Sequence, residues 1–158
     1  MNFLTEHGIS SYGELESKLT AISARRDTAH AEIKRIESRS AELALVMKHA
    51  GIYRQLKPLY ERYRKSNDKE KFLRGHESEI ILFEATTREL KRLGAVPLPT
   101  TESMKKELAN LNAEKERLLA EYKAARSEAQ EYDTVKQNVD ALLTVPKEQE
   151  QQRRHELE

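Results

Sequence analysis

Five histidines, His7, His30, His49, His76 and His155, are the side chains best suited to hold a metal or move a proton near neutral pH. No two of them have the His-x-His or His-Glu-x-x-His spacing that sets a pair of imidazoles on one face, and the chain has no cysteine to add a thiolate. Its glycines occur singly, so neither a Walker loop nor a dinucleotide-binding glycine pattern is present. No sequence feature pairs a serine or a tyrosine with a base. The histidines read as ordinary surface or part-buried residues, and the chain reads as a non-enzyme with no cofactor and no metal.

One stretch departs from charge balance. Between Arg54 and Arg74 lie Arg54, Lys57, Arg62, Arg64, Lys65, Lys69, Lys71 and Arg74 against Glu61, Asp68 and Glu70, a local excess of five in a chain whose net charge is +1. Tyr53, Tyr60, Tyr63 and Phe72 are interleaved with them. Positive side chains track phosphates and rings stack on unpaired bases, so this mixture is what a backbone-following nucleic-acid surface uses. The eight basic residues, with Tyr60 and Tyr63, are the candidate DNA-binding set. The competing reading is that the tyrosines pack a small core while the basic residues form its solvated face.

Two long segments must position that stretch. From Thr101 to Leu143 there is neither glycine nor proline, and steps of four and three select Met104, Leu108, Leu111, Lys115, Leu118, Tyr122, Ala125, Ala129, Tyr132, Lys136, Val139 and Leu143. A 3.5-residue repeat held this long gives one helix a narrow apolar seam for a partner helix. At about 1.5 Å per residue the rod is too long for a compact core to wrap, and alone it would be marginal in water. From Leu15 the same stepping selects Leu19, Ile22, Arg26, Ala29, Ile33, Ile36, Ser40, Leu43 and Met47, a second seam of similar length. The predicted fold is all-α: a long antiparallel coiled-coil hairpin, or stalk, with a small helical head between its two long helices. Ile33 should then lie near Leu118 or Tyr122. Arg26, Ser40, Lys115 and Lys136 read as interruptions that set register.

Composition agrees with long helices. Ala, Glu, Lys, Leu and Arg make up 86 of 158 residues, with no tryptophan and 35% charged residues. Mean hydropathy is -0.82, yet the charges balance and the apolar residues keep register, which favours order over disorder. No apolar run approaches a membrane span, and the first residues lack the pattern of a signal peptide. With the absence of cysteine, this points to a cytoplasmic protein with no membrane partner.

Residues 1–10 read as the end of a preceding helix stopped by Gly8, so that Met1 would be a cut from a longer chain. Ser11, with Glu14, caps the first stalk helix, expected over 11–48 and ending near Ala50 and Gly51. The head spans 49–100. It holds a short helix from Ile52 to Lys65 that Pro58 kinks or starts, and, after the turn Ser66-Asn67-Asp68, a third helix to about Leu93. On that helix Phe72, Leu73, His76, Ile80, Phe83 and Leu90 form the apolar face, widened by Ile81 and Leu82, with Gly75 a weak point. Gly94 should cap its end before the extended link Val96-Pro97-Leu98-Pro99. Thr100 or Thr101 caps the second stalk helix, 101–143, and Pro146 ends it. Residues 144–158 are a polar tail.

The strings His49-Ala50-Gly51-Ile52-Tyr53, Leu59-Tyr60-Glu61-Arg62-Tyr63, Lys71-Phe72-Leu73-Arg74-Gly75-His76-Glu77-Ser78-Glu79-Ile80 and Leu93-Gly94-Ala95-Val96-Pro97-Leu98-Pro99, with Ser23-Ala24-Arg25-Arg26-Asp27, resemble the C-terminal region of conjugative relaxases. These are the mobilisation nucleases of plasmids and integrative elements in Gram-positive and gut bacteria. Their nicking tyrosine and metal-binding histidines belong to an N-terminal domain with no counterpart here, so no catalytic residue carries over. The resemblance implies a non-catalytic accessory region that supports DNA binding at or near the transfer origin. The alternative it implies is an interaction or dimerisation stalk, with relaxosome components, the coupling protein of a secretion channel or a second copy of the chain as partner.

Overall fold

The computed structural model describes the backbone of residues 11–156 and the side chains of residues 11–143. The expectation for residues 1–10 lies outside the described residues. Among those described, the chain is all-helical and without strands: α1 is Tyr12–Lys65, α2 is Lys69–Arg92 and α3 is Thr101–Glu156.

Each helix starts where a side chain satisfies its free amides. The Ser11 Oγ accepts from the Glu14 N–H at 3.2 Å, the Asp68 Oδ1 from the Lys71 N–H at 3.1 Å, and the Thr100 Oγ1 from the Ser103 N–H at 3.1 Å. Thr100 is therefore the cap of α3, while Thr101 takes another role. α2 ends in a Schellman motif. Gly94, at φ +69°, donates to the Lys91 carbonyl, and Ala95 donates to the Leu90 carbonyl at 2.9 Å. Leu90 and Ala95, the apolar pair of that motif, are both buried.

Two helix boundaries differ from expectation. α1 does not stop at Lys48 but runs through Gly51 and Pro58 to Lys65, so the short separate helix is its continuation. A mid-helix glycine costs about 1 kcal/mol and a proline about 3 kcal/mol. Offsetting these, Ala50 is fully buried and the rings of Tyr53 and Tyr60 stack on Phe83 of α2. The helical backbone of α3 likewise passes Pro146 and continues to Glu156. α2 carries the irregularity foreseen at Gly75: the next residue, His76, has φ -137° and ψ 27°, a kink inside the helix.

The chain divides into two compact units. One comprises the chain up to Ile33 and from Glu116 onward, the other Lys34–Lys115. In the first, Leu15, Ile22, Ala125, Ala129 and Tyr132 form a buried cluster with Tyr12, Leu19 and Val135 against it. Its flanks are tied by Tyr12 to Asp140, Glu16 to Lys136 and Arg25 to Glu128, and the His30 and Tyr122 rings lie 5.8 Å apart. Partner numbers fall along α3 as they rise along α1.

In the second unit, Ile36, Leu43, Val46, Ala50, Ile80, Phe83, Leu90, Ala95, Met104 and Leu111 are buried, with Thr86 the buried polar residue among them. Here the Arg39 Nε and Nη2 donate to the two carboxylate oxygens of Glu107 at 2.7 and 3.1 Å. Arg35 reaches Glu114, and Lys115 reaches Glu37. All three helices contribute to this unit. The two seams behave as the spacing requires: every seam position from Leu15 to Met47 and from Met104 to Val139 is buried or half-buried. Leu143, the last, is exposed.

Candidate nucleic-acid interface

The basic stretch covers α1 from Arg54 to its end, the turn at residues 66–68 and the start of α2, all inside the second unit. Why it folds into a tight turn is local. The Ser66 N–H donates to the Tyr63 carbonyl, the Ser66 Oγ accepts from the Asp68 N–H, and Asp68 then caps α2.

The structure sorts the candidate residues into two groups. Arg54 is committed to the fold: its Nη1 donates to the Thr101 Oγ1 at 2.6 Å and its Nη2 to the Pro99 carbonyl at 2.7 Å, clamping the start of α3 to α1. Lys57 lies with its ammonium 5.8 Å from the centre of the Tyr53 ring. Tyr60 stacks on Phe83 with ring centres 4.4 Å apart, and Tyr63 meets Phe72 at 6.0 Å. These rings pack one helix on the other.

The second group is Arg62, Arg64, Lys65, Lys69, Lys71 and Arg74, all exposed and gathered around the turn. Among the described residues none of the six forms an ion pair with a carboxylate, whereas Arg25, Arg35, Arg39, Lys115 and Lys136 each have a carboxylate on the facing helix. Arg62 has its guanidinium 5.7 Å from the centre of the Phe72 ring. Arg64 and Lys65 flank Glu61 around an open hollow. The positive charge at the turn is thus left available to an external anion.

Sequence reasoning did not single out the space beside the turn. An open cavity of about 320 Å³ lies there, lined by Arg62, Ser66, Asp68, Lys71, Phe72 and His76 among others. The Phe72 and His76 rings meet with centres 4.7 Å apart. His76 Nδ1 lies 3.5 Å from the Glu79 Oε2. The four-residue spacing of Phe72 and His76 beside Lys69, Lys71 and Arg74 was the available signal, but their apolar periodicity reads first as core. Among the described residues no group of three His, Asp or Glu side chains is placed to hold a metal ion, and no helix is long and apolar enough to cross a membrane. No protein-family model, no curated protein and no solved structure matches the chain.

Proposed function

We propose that the α1–α2 turn is a DNA-contacting surface, and that the chain is a non-catalytic accessory region of the kind its resemblance to conjugative relaxases implies. The observation that carries this reading is the clustering of unpaired positive charge at the turn. Among the described residues the six around the turn have no carboxylate partner and lie within one short stretch, whereas elsewhere unpaired cations such as Lys18, Lys48, Lys123 and Arg126 are scattered along the helices among paired ones. A cluster of unpaired cations that displaces condensed counterions is the electrostatic requirement of phosphate binding. In this reading α1 and α3 pair antiparallel within each unit, in coiled-coil register, and hold the turn rigidly.

Titration of fluorescently labelled DNA with the chain at two salt concentrations tests it. Binding that weakens steeply with salt is the expected outcome, and no binding at low salt overturns it.

A second reading has its own observation. In the same unit Ile81, Leu82 and Val96 are 54%, 47% and 58% exposed, apolar surface that a protein partner could cover. The partner would be a relaxosome component, the coupling protein of a secretion channel or a second copy of this chain. Sedimentation of the chain alone, and of Ile81→Glu and Leu82→Glu variants, separates self-association from DNA binding.

A further inference from the structure

We infer that the cavity beside the α1–α2 turn receives one unpaired nucleotide, so that the basic turn prefers a single strand to a duplex. The inference rests on the DNA-binding reading and adds to it a site and a strandedness. At about 320 Å³ the cavity falls at the small end of ligand pockets, roughly 300 to 1,000 Å³, too small for a duplex and suited to one flipped-out unit. Its wall supplies two chemistries side by side. Arg62 and Lys71 present cations for the phosphate, and the Phe72 and His76 rings, 4.7 Å apart, line the same wall; the Arg62 guanidinium lies 5.7 Å from the Phe72 ring centre, so a base that stacks there takes its place as Arg62 turns to the phosphate.

The other charged group at the cavity is Asp68, whose Oδ1 is engaged with the Lys71 N–H. Its charge disfavours a phosphate directly beside it. A base can reach the rings only if it has left its stack, because in a duplex its faces are already covered. A duplex can still lay its phosphates along Arg64, Lys65, Lys69 and Arg74 outside the cavity. The two kinds of DNA therefore use different subsets of the same turn.

Gly75 offers a direct test. It lines the cavity, and a Cβ built on it meets nothing within 4 Å, so Gly75→Leu takes up cavity space while every charge remains and the helix gains a better former. Affinities of the chain, of Gly75→Leu and of Phe72→Leu should be measured for a labelled oligonucleotide and for its duplex, with 2-aminopurine in the strand to report stacking. The strand is expected to bind more tightly than the duplex and to change its 2-aminopurine emission on binding. Both variants should lose roughly fivefold to a hundredfold in strand affinity, the range for one stacked base, with duplex affinity unchanged. Retained duplex binding shows that a variant is folded. Equal affinity for strand and duplex, unaltered emission at saturation, or strand affinity untouched by Gly75→Leu would each overturn the inference while leaving the basic turn as a DNA surface. Failure of both DNAs to bind at low salt would overturn the DNA reading itself.

Discussion

Tyr12 and Asp140 stand far apart in sequence, yet the Tyr12 hydroxyl donates to the Asp140 Oδ1 at 2.7 Å in the first unit. That hydrogen bond, then burial and the charges of Asp140 and Glu16, push the Tyr12 phenol from 10.0 up to about 12. Ionisation would break the bond and set a phenolate beside a carboxylate. The sign follows: the contribution to stability is complete below the ordinary phenol value and disappears as pH climbs from about 10 through about 12. Tyr132 is held above its usual value as well, by burial first and then by Glu128 and Glu131. Near-ultraviolet titration of the six tyrosines should therefore show late-ionising phenols, and Tyr12→Phe should remove one of them. A variant with the same late phase as the wild type would mean that this hydrogen bond is absent in solution. The Arg39–Glu107 fork is the matching device in the second unit. Its hydrogen bond to Arg39 lowers the Glu107 carboxyl, but both side chains are two-fifths exposed, and such a pair is worth less than about 1 kcal/mol. It sets register more than it adds stability.

At the scale of elements, the capping residues and Gly94 bound their helices independently of what packs around them, which is why Ser11, Asp68 and the end of α2 were legible in the sequence. Gly94 adopts a left-handed φ with open space around it, so Gly94→Ala carries only the conformational cost, about 1 to 2 kcal/mol, visible as a lower melting temperature. An unchanged melt would mean that the α2–α3 link is not held in the Schellman form. The seam was legible for a similar reason, since a 3.5-residue repeat fixes which side chains face a partner. The run of α1 through Gly51 and Pro58 was not, because local propensity argues for a stop and what offsets it, the burial of Ala50 and the stacking of Tyr53 and Tyr60 on Phe83, depends on contacts distant in sequence. The same blindness hid the cavity, whose walls come from both sides of the turn. Ile33 is 5% exposed, and Ile33→Asp places an unpaired charge in the seam at a cost of about 3 to 5 kcal/mol. Lys115 is half-buried and loses only its 3.5 Å contact with Glu37, so Lys115→Leu should cost less than about 1 kcal/mol. Thermal melts in which Lys115→Leu is the more damaged of the two would mean that the seam register is wrong.

Over the whole molecule the net charge of +1 conceals an uneven placement of positive charge. Arg25, Arg35, Arg39, Lys115 and Lys136 face carboxylates on the opposite helix, and Arg117 lies beside Glu121 on its own. Around the turn, Arg62, Arg64, Lys65, Lys69, Lys71 and Arg74 have no such neighbour among the described residues. A paired cation already has its counterion and releases little on meeting a phosphate, whereas an unpaired one releases a condensed counterion from the DNA. Each phosphate contact removed should lower the slope of log affinity against log salt by about 0.7 to 0.9. The combined change of Arg62, Arg64 and Lys65 to Ala should therefore weaken DNA binding and flatten that slope by up to roughly two units. On α3 Arg117 pairs with Glu121, and Lys123 and Arg126, though without an ion pair, stand outside the cluster, so the same change at these three, equal in charge removed, should alter the slope less. Total charge alone would make the two triple variants alike, so their difference isolates placement. If the α3 triple is the one that abolishes binding, the turn is a solvated surface, and the exposed apolar residues Ile81 and Leu82 become the place to look for a protein partner.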